Sequence, residues 1–375
     1  MIQEAMYLDN AATTPIRPQV LEAMAPYLTR EFGNPSSVHG IGKRASDALE
    51  DARGRVARVL GFRTGDVIFT SGGTEANNLA VKGVALAALE HRGARHVVTT
   101  PIEHESVLES ADYLRRFHGF EVTQVPVDGT GLVDLDEVAR AIRPDTAVVS
   151  IGMANNEIGT VQDAAALREA AGRAPLHLDA VQAAGWLPLG DTGADALSLA
   201  GHKVGAPKGT GVLAVRGRIP LEPLLHGGGQ QRGRRSGTEP VADAVGIATA
   251  LELAERDREQ TAARITAIRD RFIAEVLALA PSARLTGHPT QRLPGSASFT
   301  FEGTSGERIL LDLERQGIVC SSGSACAAGS DEPSHVLLAC GIEPEIAQTA
   351  VRFTLAHAHT EDLSPVAHAL AAAVQ

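Results

Sequence analysis

One lysine of this chain lies in a setting that suits covalent chemistry. Lysine is scarce among the 34 Lys and Arg side chains, because surface positive charge is carried mostly by Arg. Lys203 lies in the glycine-rich stretch 201–211, directly after the strand-like run 196–199. Arg stays protonated, whereas a buried Lys can lose its proton and form a Schiff base with a carbonyl group. The local sequence fits a solvated lysine in a turn equally well.

A carboxylate stands in a matching position. Asp179 ends the apolar run 175–178, and the carboxyl end of a strand in an α/β sheet faces the usual ligand crevice. There the carboxylate could pair with a protonated pyridine nitrogen and keep the ring an electron sink. Taken alone, an aspartate at this point is more often a turn or helix-cap residue.

A candidate phosphate cradle lies at 71–78, between a strand-like and a helix-like segment. Free amides at the start of the helix, together with the Thr74 hydroxyl, could bind a phosphate group. The alternative is a plain N-cap, with Thr74 as the cap and Asn77 at the third position. A GxxxxGK[ST] loop is absent from the sequence, so a nucleoside triphosphate is not indicated.

Two further polar positions follow strands. His104 could stack on a flat cofactor or move protons, or it could be a buried structural histidine. Asn156 follows the next long strand-like run. Carboxyl ends of parallel strands meet at one edge of a sheet, so these residues should converge there. The converging set is Thr74, His104, Asn156, Asp179 and Lys203.

A cysteine and an arginine in the last third of the chain complete the candidate site. Cys326 lies in 320–330, a run of small and mostly polar residues that should form an accessible loop. A thiol there could reach a substrate and then a second partner, or it could be incidental. Cys320 and Cys340 are expected to be structural. Arg352, in the alternating run 351–355, could hold a carboxylate by two parallel bonds or form an ordinary ion pair.

The elements that must position these residues alternate from about residue 60 onward. This alternation predicts right-handed βαβ units and an α/β fold with a mainly parallel central sheet. A long helix pair at 240–280 leads into a smaller α+β region. The predicted division is a large domain at 16–254 and a small domain formed by 1–15 with 255–375. Strands are predicted at 67–70, 95–100, 120–125, 146–151, 176–179 and 196–199, and helices at 74–90, 104–118, 134–143 and 161–173.

Bulk properties exclude several classes of protein. The 375 residues carry a net charge of -11, which argues against binding to nucleic acid or an anionic membrane. The sequence has no apolar run of membrane-span length and no export signal at its start. Three cysteines without a CxxC pair argue against a disulfide scaffold or a metal site and favour the cytosol.

With these motifs assembled, the chain resembles a known family. It looks like a cysteine desulfurase of the housekeeping and nitrogen-fixation type, within the class V pyridoxal-phosphate enzymes. The resemblance runs from the N-terminal segment to Arg352-Phe353. It rests on the segments Tyr7-Leu8-Asp9-Asn10-Ala11-Ala12-Thr13-Thr14-Pro15, Gly33-Asn34-Pro35-Ser36-Ser37, Asn155-Asn156-Glu157-Ile158-Gly159, Gly201-His202-Lys203, Arg235-Ser236-Gly237-Thr238 and Ser321-Ser322-Gly323-Ser324-Ala325-Cys326.

The resemblance implies an aspartate-aminotransferase-like fold and a role for each site residue. Pyridoxal 5'-phosphate would be held covalently by Lys203, the sulfur of L-cysteine would pass to Cys326 as a persulfide, and L-alanine would leave. Thr238 would reach the cofactor phosphate of the other subunit of a homodimer. The remaining implied roles are Asp179 at the pyridine nitrogen, Asn156 and Gln182 near the phenolic oxygen, His104 stacked on the ring and acting on protons, Gly73, Thr74 and His202 at the phosphate, and Arg352, Asn10 and Asn156 at the substrate.

The resemblance also implies a sulfur-acceptor protein, either an iron–sulfur scaffold or a sulfur carrier. Two departures stand out: Ala200 replaces a usual serine, which removes one phosphate contact, and the tail after Asp362 is short, which would move scaffold docking to another surface. The alternatives are a selenocysteine lyase or class V aminotransferase, and a non-enzymatic sulfur carrier with a degenerate cofactor site.

Overall fold

The computed structural model describes residues 5–323 and 332–375. Strands and helices alternate through the first two thirds of the chain, as the sequence predicts. In chain order the strands are β1 (Met6–Tyr7), β2 (Val67–Thr70), β3 (His96–Thr99), β4 (Glu121–Gln124), β5 (Thr146–Gly152), β6 (Leu176–Asp179), β7 (Ala196–Ala200), β8 (Gly211–Val215), β9 (Ala283–Leu285), β10 (Ser296–Phe301), β11 (Ile318–Val319) and β12 (Val351–Thr354).

The helices pack on the sheets and connect the strands. They are α1 (Pro18–Thr29), α2 (Gly40–Leu60), α3 (Gly73–Asn78), α4 (Val84–Arg92), α5 (Glu105–His118), α6 (Leu135–Ala141), α7 (Ala164–Ala171), α8 (Val241–Arg256), α9 (Arg258–Leu279), α10 (Gly306–Arg315), α11 (His335–Ala339), α12 (Pro344–Ala347) and α13 (Ser364–Ala373).

A large mixed sheet forms the centre of the molecule. Within the described ranges its strand order is β2-β8-β7-β6-β5-β3-β4. Every neighbouring pair is parallel except the two pairs that involve β8, which runs antiparallel to β2 and β7. Strands β5 to β8 are buried along almost their whole length, which accounts for their apolar runs. The mainly parallel sheet is therefore confirmed.

Three local features differ from the sequence-based expectation. Strand β8 was not predicted. It follows β7 through a glycine-rich loop without an intervening α-helix, so the alternation of strands and helices does not reveal it. Helix α7 begins at Ala164 rather than near 161, since the Asp163 carboxylate caps it by accepting from Ala165 N and Ala166 N. The helix predicted at 74–90 is continuous but contains a π-helical turn at Leu79–Gly83 between α3 and α4.

Two hydrophobic cores lie on either side of the junction between α8 and α9. The first includes α8 residues such as Ile247 and Leu251 with the central sheet. The second joins Phe272 of α9 to Phe299, Phe353 and the N-terminal Leu8. These contacts support the predicted division into 16–254 and 1–15 with 255–375, which stays a prediction. Within the described part of the chain, no helix combines the length and apolarity needed to cross a membrane.

Candidate active site at the carboxyl edge of the sheet

Loops that follow five parallel strands meet around a cavity of about 430 Å³. Thr74 follows β2, His104 follows β3, Asn156 follows β5, Asp179 ends β6 and Lys203 follows β7, and all five line this cavity. The structure therefore brings together the set that the sequence predicted to converge. Parallel strands present their carboxyl ends at the same edge of the sheet, which explains the meeting point.

Lys203 ends a short helical turn that is aimed into the cavity. A Cβ atom on Gly201 would lie 2.0 Å from the Thr210 Oγ1 atom, so only glycine allows this turn. The Lys203 amine donates hydrogen bonds to the carbonyl oxygens of Ala11 and Ala12, the latter at 2.8 Å. The segment after β1 therefore forms one wall of the lysine site.

Asp179 is buried and both of its carboxylate oxygens are in use. Oδ1 accepts a hydrogen bond from Val181 N at 2.9 Å, which is the turn contact expected of an aspartate here. Oδ2 accepts from Asn77 Nδ2 at 2.6 Å. On the same strand, burial lowers the pKa of His177 to about 4, and the nearby Asp179 charge opposes this shift. The imidazole on this strand is therefore neutral at neutral pH.

The candidate phosphate cradle starts at an uncapped helix end. Among the described residues, no side chain caps the first turn of α3, and Thr74 is exposed at the cavity. The plain N-cap with Thr74 as the capping residue is therefore not what forms. A Cβ atom on Gly73 would lie 2.8 Å from Val181 Cγ2 and 3.2 Å from the Ala200 methyl, so the backbone approaches closely only as glycine.

The other predicted phosphate and ring residues also line the cavity. Burial, followed by the charges of Lys203 and Lys208, lowers the pKa of His202 to about 4. Its Nδ1 atom lies 3.2 Å from Thr13 Oγ1. Gln182 donates from Nε2 to Ala11 O at 3.1 Å. These side chains are held by the segment that also receives the Lys203 amine.

His104 serves both as a cavity wall and as the N-cap of α5. Its Nδ1 atom accepts a hydrogen bond from Ser106 N at 3.0 Å and lies 2.8 Å from Ser106 Oγ. The structural and the functional interpretation of this histidine are therefore compatible. The cap fixes the ring where it borders the cavity.

Arg352 is almost completely buried and joins three parts of the chain. One nitrogen donates to the Asp9 carboxylate at 2.6 Å, and another donates to Asn156 O at 2.8 Å and Gly323 O at 3.0 Å. Its Nε atom is buried and has no hydrogen-bond partner in the described ranges. The ion pair that the sequence left open is present, and a donor remains at a residue that lines the cavity.

Two predicted site residues that the structure describes are not on the wall of this cavity, and a third lies outside the described residues. Asn10 borders a smaller adjoining cavity and donates from Nδ2 to Thr354 O at 2.8 Å. Thr238 is exposed and is not among the residues that line the cavity. Cys326 lies outside the described residues, but Gly323 and Glu332, which flank the undescribed segment, both line the cavity.

The structure adds buried polar residues to the cavity wall that the sequence did not single out. Glu157 accepts a hydrogen bond from Ser334 Oγ at 2.5 Å, which ties the chain after the undescribed segment to the Asn155–Gly159 loop. Glu103 and Ser106 also line the cavity. The sequence signal was their place beside His104 and Asn156, but an apolar or polar pattern cannot tell a buried carboxylate from an exposed one.

The two described cysteines have poorly reactive thiols. Burial, and then the Asp9 charge, raises the pKa of Cys320 to about 12. Burial, and then the Asp128 charge, raises the pKa of Cys340 to about 11. The thiolate is the nucleophilic form of cysteine, so neither side chain is activated at neutral pH.

Comparison with known proteins places this site in a family. The family model described as aminotransferase class-V matches residues 6–363. A protein named cysteine desulfurase IscS from Methanosarcina thermophila is 45% identical, over 99% of this chain and 92% of its own length. An IscS-like cysteine desulfurase from Mycobacterium tuberculosis is also 45% identical, over 95% of this chain and 92% of its own length.

Solved structures agree with the sequence matches. A NifS-like protein superposes with a TM-score of 0.89 at 37% identity, covering 99% of this chain and 98% of that chain. The DndA protein of Streptomyces lividans superposes with a TM-score of 0.79 at 37% identity, covering 93% of this chain and 99% of that chain. The fold class inferred from the resemblance is confirmed, and the chain belongs to the cysteine desulfurases of the class-V aminotransferase family, which are pyridoxal-phosphate-dependent enzymes.

Proposed function

We propose that the chain transfers the sulfur of L-cysteine to Cys326, with L-alanine as the second product. The observation that carries this proposal is that one cavity is lined by Lys203, Asp179, His104 and Arg352. The same cavity is lined by Gly323 and Glu332, the described residues on either side of the segment that contains Cys326. An amine, an anion, a flat ring and a guanidinium are the groups that hold an amino acid beside a pyridine cofactor.

The residues of the cavity fit pyridoxal 5'-phosphate. The Lys203 amine would hold it covalently, the Asp179 side chain would face its ring nitrogen, and the uncapped first turn of α3 would receive its phosphate with His202. When bound, the cofactor supplies an electron sink for negative charge that develops on the substrate. Asn156 and Gln182 line the same cavity and would orient the ring, with His104 against its face.

The substrate would then be held in the cavity within reach of the Cys326 thiol. Arg352 would take the substrate carboxylate, and Lys203 would move the proton of the substrate α-carbon. The Cys326 thiolate would attack the substrate sulfur, so that an S–S bond forms while the C–S bond breaks. The electron pair of the broken bond passes to the β-carbon, which gains a proton and yields alanine. The sulfur atom stays on Cys326 as a persulfide.

Chain connectivity supports the reach of this thiol. Cys326 is three residues from Gly323, so their Cα atoms can be at most about 11 Å apart. Gly323 O is held by Arg352 at 3.0 Å. Cys320 and Cys340, whose pKa values are raised by burial to about 12 and about 11, offer no competing nucleophile.

The test has two parts, which are replacement of the Cys326 thiol and identification of the residue whose amine binds the cofactor. Cys326→Ser is expected to keep the yellow absorbance of the lysine-bound cofactor but to release no sulfide from cysteine, while Cys340→Ser keeps both. Borohydride reduction followed by peptide mapping should place the cofactor label on Lys203, with Lys208 as the internal control. Sulfide release by the Cys326→Ser protein, or a label on another residue, contradicts the proposal.

We further propose a homodimer in which Thr238 completes the partner's phosphate site. Thr238 is exposed and away from this chain's own cavity wall, and exposed apolar side chains such as Leu28 and Phe32 offer a surface for a second copy. Mixed dimers of Lys203→Ala and Thr238→Val chains test this. One site in each mixed dimer should regain the cofactor affinity of the unmodified protein, whereas a Thr238 that serves its own chain would leave every site defective.

The sulfur would pass from Cys326 to an acceptor protein, such as an iron–sulfur scaffold or a sulfur carrier, and the cytosol is the proposed compartment. Support comes from relatives named cysteine desulfurase IscS. Radioactive sulfur loaded from labelled cysteine should move from Cys326 to a purified scaffold or carrier protein. Retention of all label on the enzyme in the presence of both candidates would contradict transfer to either class.

A further inference from the structure

A buried asparagine beside the cavity takes no direct part in the proposed reaction. Asn77 lies at the end of α3, is only 2% exposed and lines the cavity. Its Nδ2 atom lies 2.6 Å from Asp179 Oδ2 and 2.9 Å from Ser106 Oγ. One amide group therefore contacts both the Asp179 carboxylate and the hydroxyl that borders His104.

The chemistry of its neighbour fixes which way the amide points. An ionised carboxylate only accepts hydrogen bonds, so the atom facing Asp179 must be the amide nitrogen. Both hydrogens of that nitrogen are then used. The Asn77 Oδ1 atom is buried and accepts no hydrogen bond from the residues that the structure describes. A buried acceptor without a partner is unfavourable. The two donor contacts to Asp179 and Ser106, and not the stability of the fold, therefore determine the orientation of the amide.

The second amide hydrogen of Asn77 connects to His104 through the Ser106 hydroxyl. Ser106 Oγ accepts from Asn77, which directs its own hydrogen toward His104 Nδ1 at 2.8 Å. Ser106 N also donates to this Nδ1 atom at 3.0 Å. A ring nitrogen that accepts from a backbone N–H carries a lone pair, so the proton of the neutral imidazole is on Nε2.

We propose that Asn77 is a positioning residue of the desulfuration site, an inference that rests on the proposed function. One amide hydrogen orients the Asp179 carboxylate, and the other orients the Ser106 hydroxyl toward His104 Nδ1, which the Ser106 backbone N–H already holds as the acceptor nitrogen. The two side chains assigned to the cofactor ring are thereby coupled through a single carboxamide. His104 then presents a hydrogen-bond donor at Nε2 while Nδ1 is committed to the helix cap.

The tautomer can be read directly in the unmodified holoenzyme. Long-range ¹H–¹⁵N correlation spectra of ¹⁵N-histidine-labelled protein distinguish a protonated from an unprotonated ring nitrogen, and a His104→Gln variant assigns the resonance. The expected result at neutral pH is a protonated Nε2 and an unprotonated Nδ1. A protonated Nδ1 would overturn the inference. Because the substrate L-cysteine is not added to the sample, this outcome does not depend on whether the enzyme desulfurates cysteine.

Variants separate positioning from mere packing. Asn77→Leu keeps the size of the side chain but removes both donors, and should weaken binding of added pyridoxal phosphate to the apo-form of the full chain about tenfold. The His104 tautomer should persist, because Ser106 N still donates to Nδ1. Ser110→Ala removes a buried hydroxyl one turn further along α5, which donates to Ser106 O, and is the matched control.

A second variant keeps the test open if Asn77→Leu fails to fold. Ser106→Ala leaves the backbone donor to His104 Nδ1 in place, so the tautomer should persist while cofactor affinity falls severalfold. Unchanged affinity in both Asn77→Leu and Ser106→Ala would refute the positioning role. If the unmodified protein shows the expected tautomer and binds the cofactor but does not desulfurate cysteine, only the proposed function is refuted.

Discussion

Glu103 offers a pH dependence that follows directly from its burial. This carboxyl group is 5% exposed at the cavity wall; Thr100 Oγ1 lies 2.6 Å from Oε1, and Gly152 N donates to Oε2 at 2.8 Å. Burial raises its pKa from 4.5 to about 8, the Thr100 contact opposes this shift, and the Asp179 charge adds to it. Burial therefore keeps Glu103 protonated at neutral pH, although Thr100 Oγ1 donates a hydrogen bond to Oε1.

The informative change is Glu103→Gln, which mimics the protonated acid. The new carbonyl can accept from Gly152 N, and the new amide can donate to Thr100 Oγ1. In the unmodified protein the unfolded chain loses the Glu103 proton above pH 4.5, while the folded protein keeps it until about pH 8. Each pH unit in that window lowers the free energy of unfolding by about 1.4 kcal/mol, which amounts to about 5 kcal/mol over the window.

The assay compares the two proteins rather than relying on an absolute stability. Denaturant unfolding of both, at several pH values between 4.5 and 8, should show the stability of Glu103→Gln rising relative to the unmodified protein as pH rises. Infrared difference spectra at neutral pH should contain the carbonyl band of a protonated carboxylic acid that the variant lacks. Glu109→Gln, which changes an exposed carboxyl group on α5, is the control. Parallel pH curves together with no acid band would refute the reasoning.

Two further outcomes follow from the site. Ala200→Ser places a hydroxyl beside Gly73 and should tighten pyridoxal-phosphate binding about two- to tenfold in a fluorescence titration; unchanged or weaker binding would contradict a phosphate at this position. Arg352→Lys cannot hold the Asp9 carboxylate and two carbonyl oxygens in one planar fork. It should lower kcat/KM for cysteine at least tenfold, mostly through KM, and an unchanged KM would contradict carboxylate binding by Arg352.

The sequence by itself determined the fold class and predicted that Thr74, His104, Asn156, Asp179 and Lys203 converge at one edge of the sheet, where all five line one cavity. Alternating apolar runs and helical periods report which face of each element is buried, so β3, β5, β6 and β7 could be located within one or two residues. The polar residue after each strand could then be assigned to one edge. The sequence predicted one helix where α3, a π-helical turn and α4 follow one another. The apolar spacing of the π-helical turn is too close to that of an α-helix for so short a segment to be distinguished.

Only the tertiary structure decided the long-range pairs. Asp9 and Arg352 are 343 residues apart and meet because the N-terminal segment lies beside β12. Asn77 reaches Asp179 across 102 residues because the sheet order brings the loops after β2 and β6 to the same cavity. Local sequence records the preference of each segment, whereas these contacts depend on strand order and on burial. The same is true of the protonation of Glu103, since its pKa is raised by a desolvation that no local pattern contains.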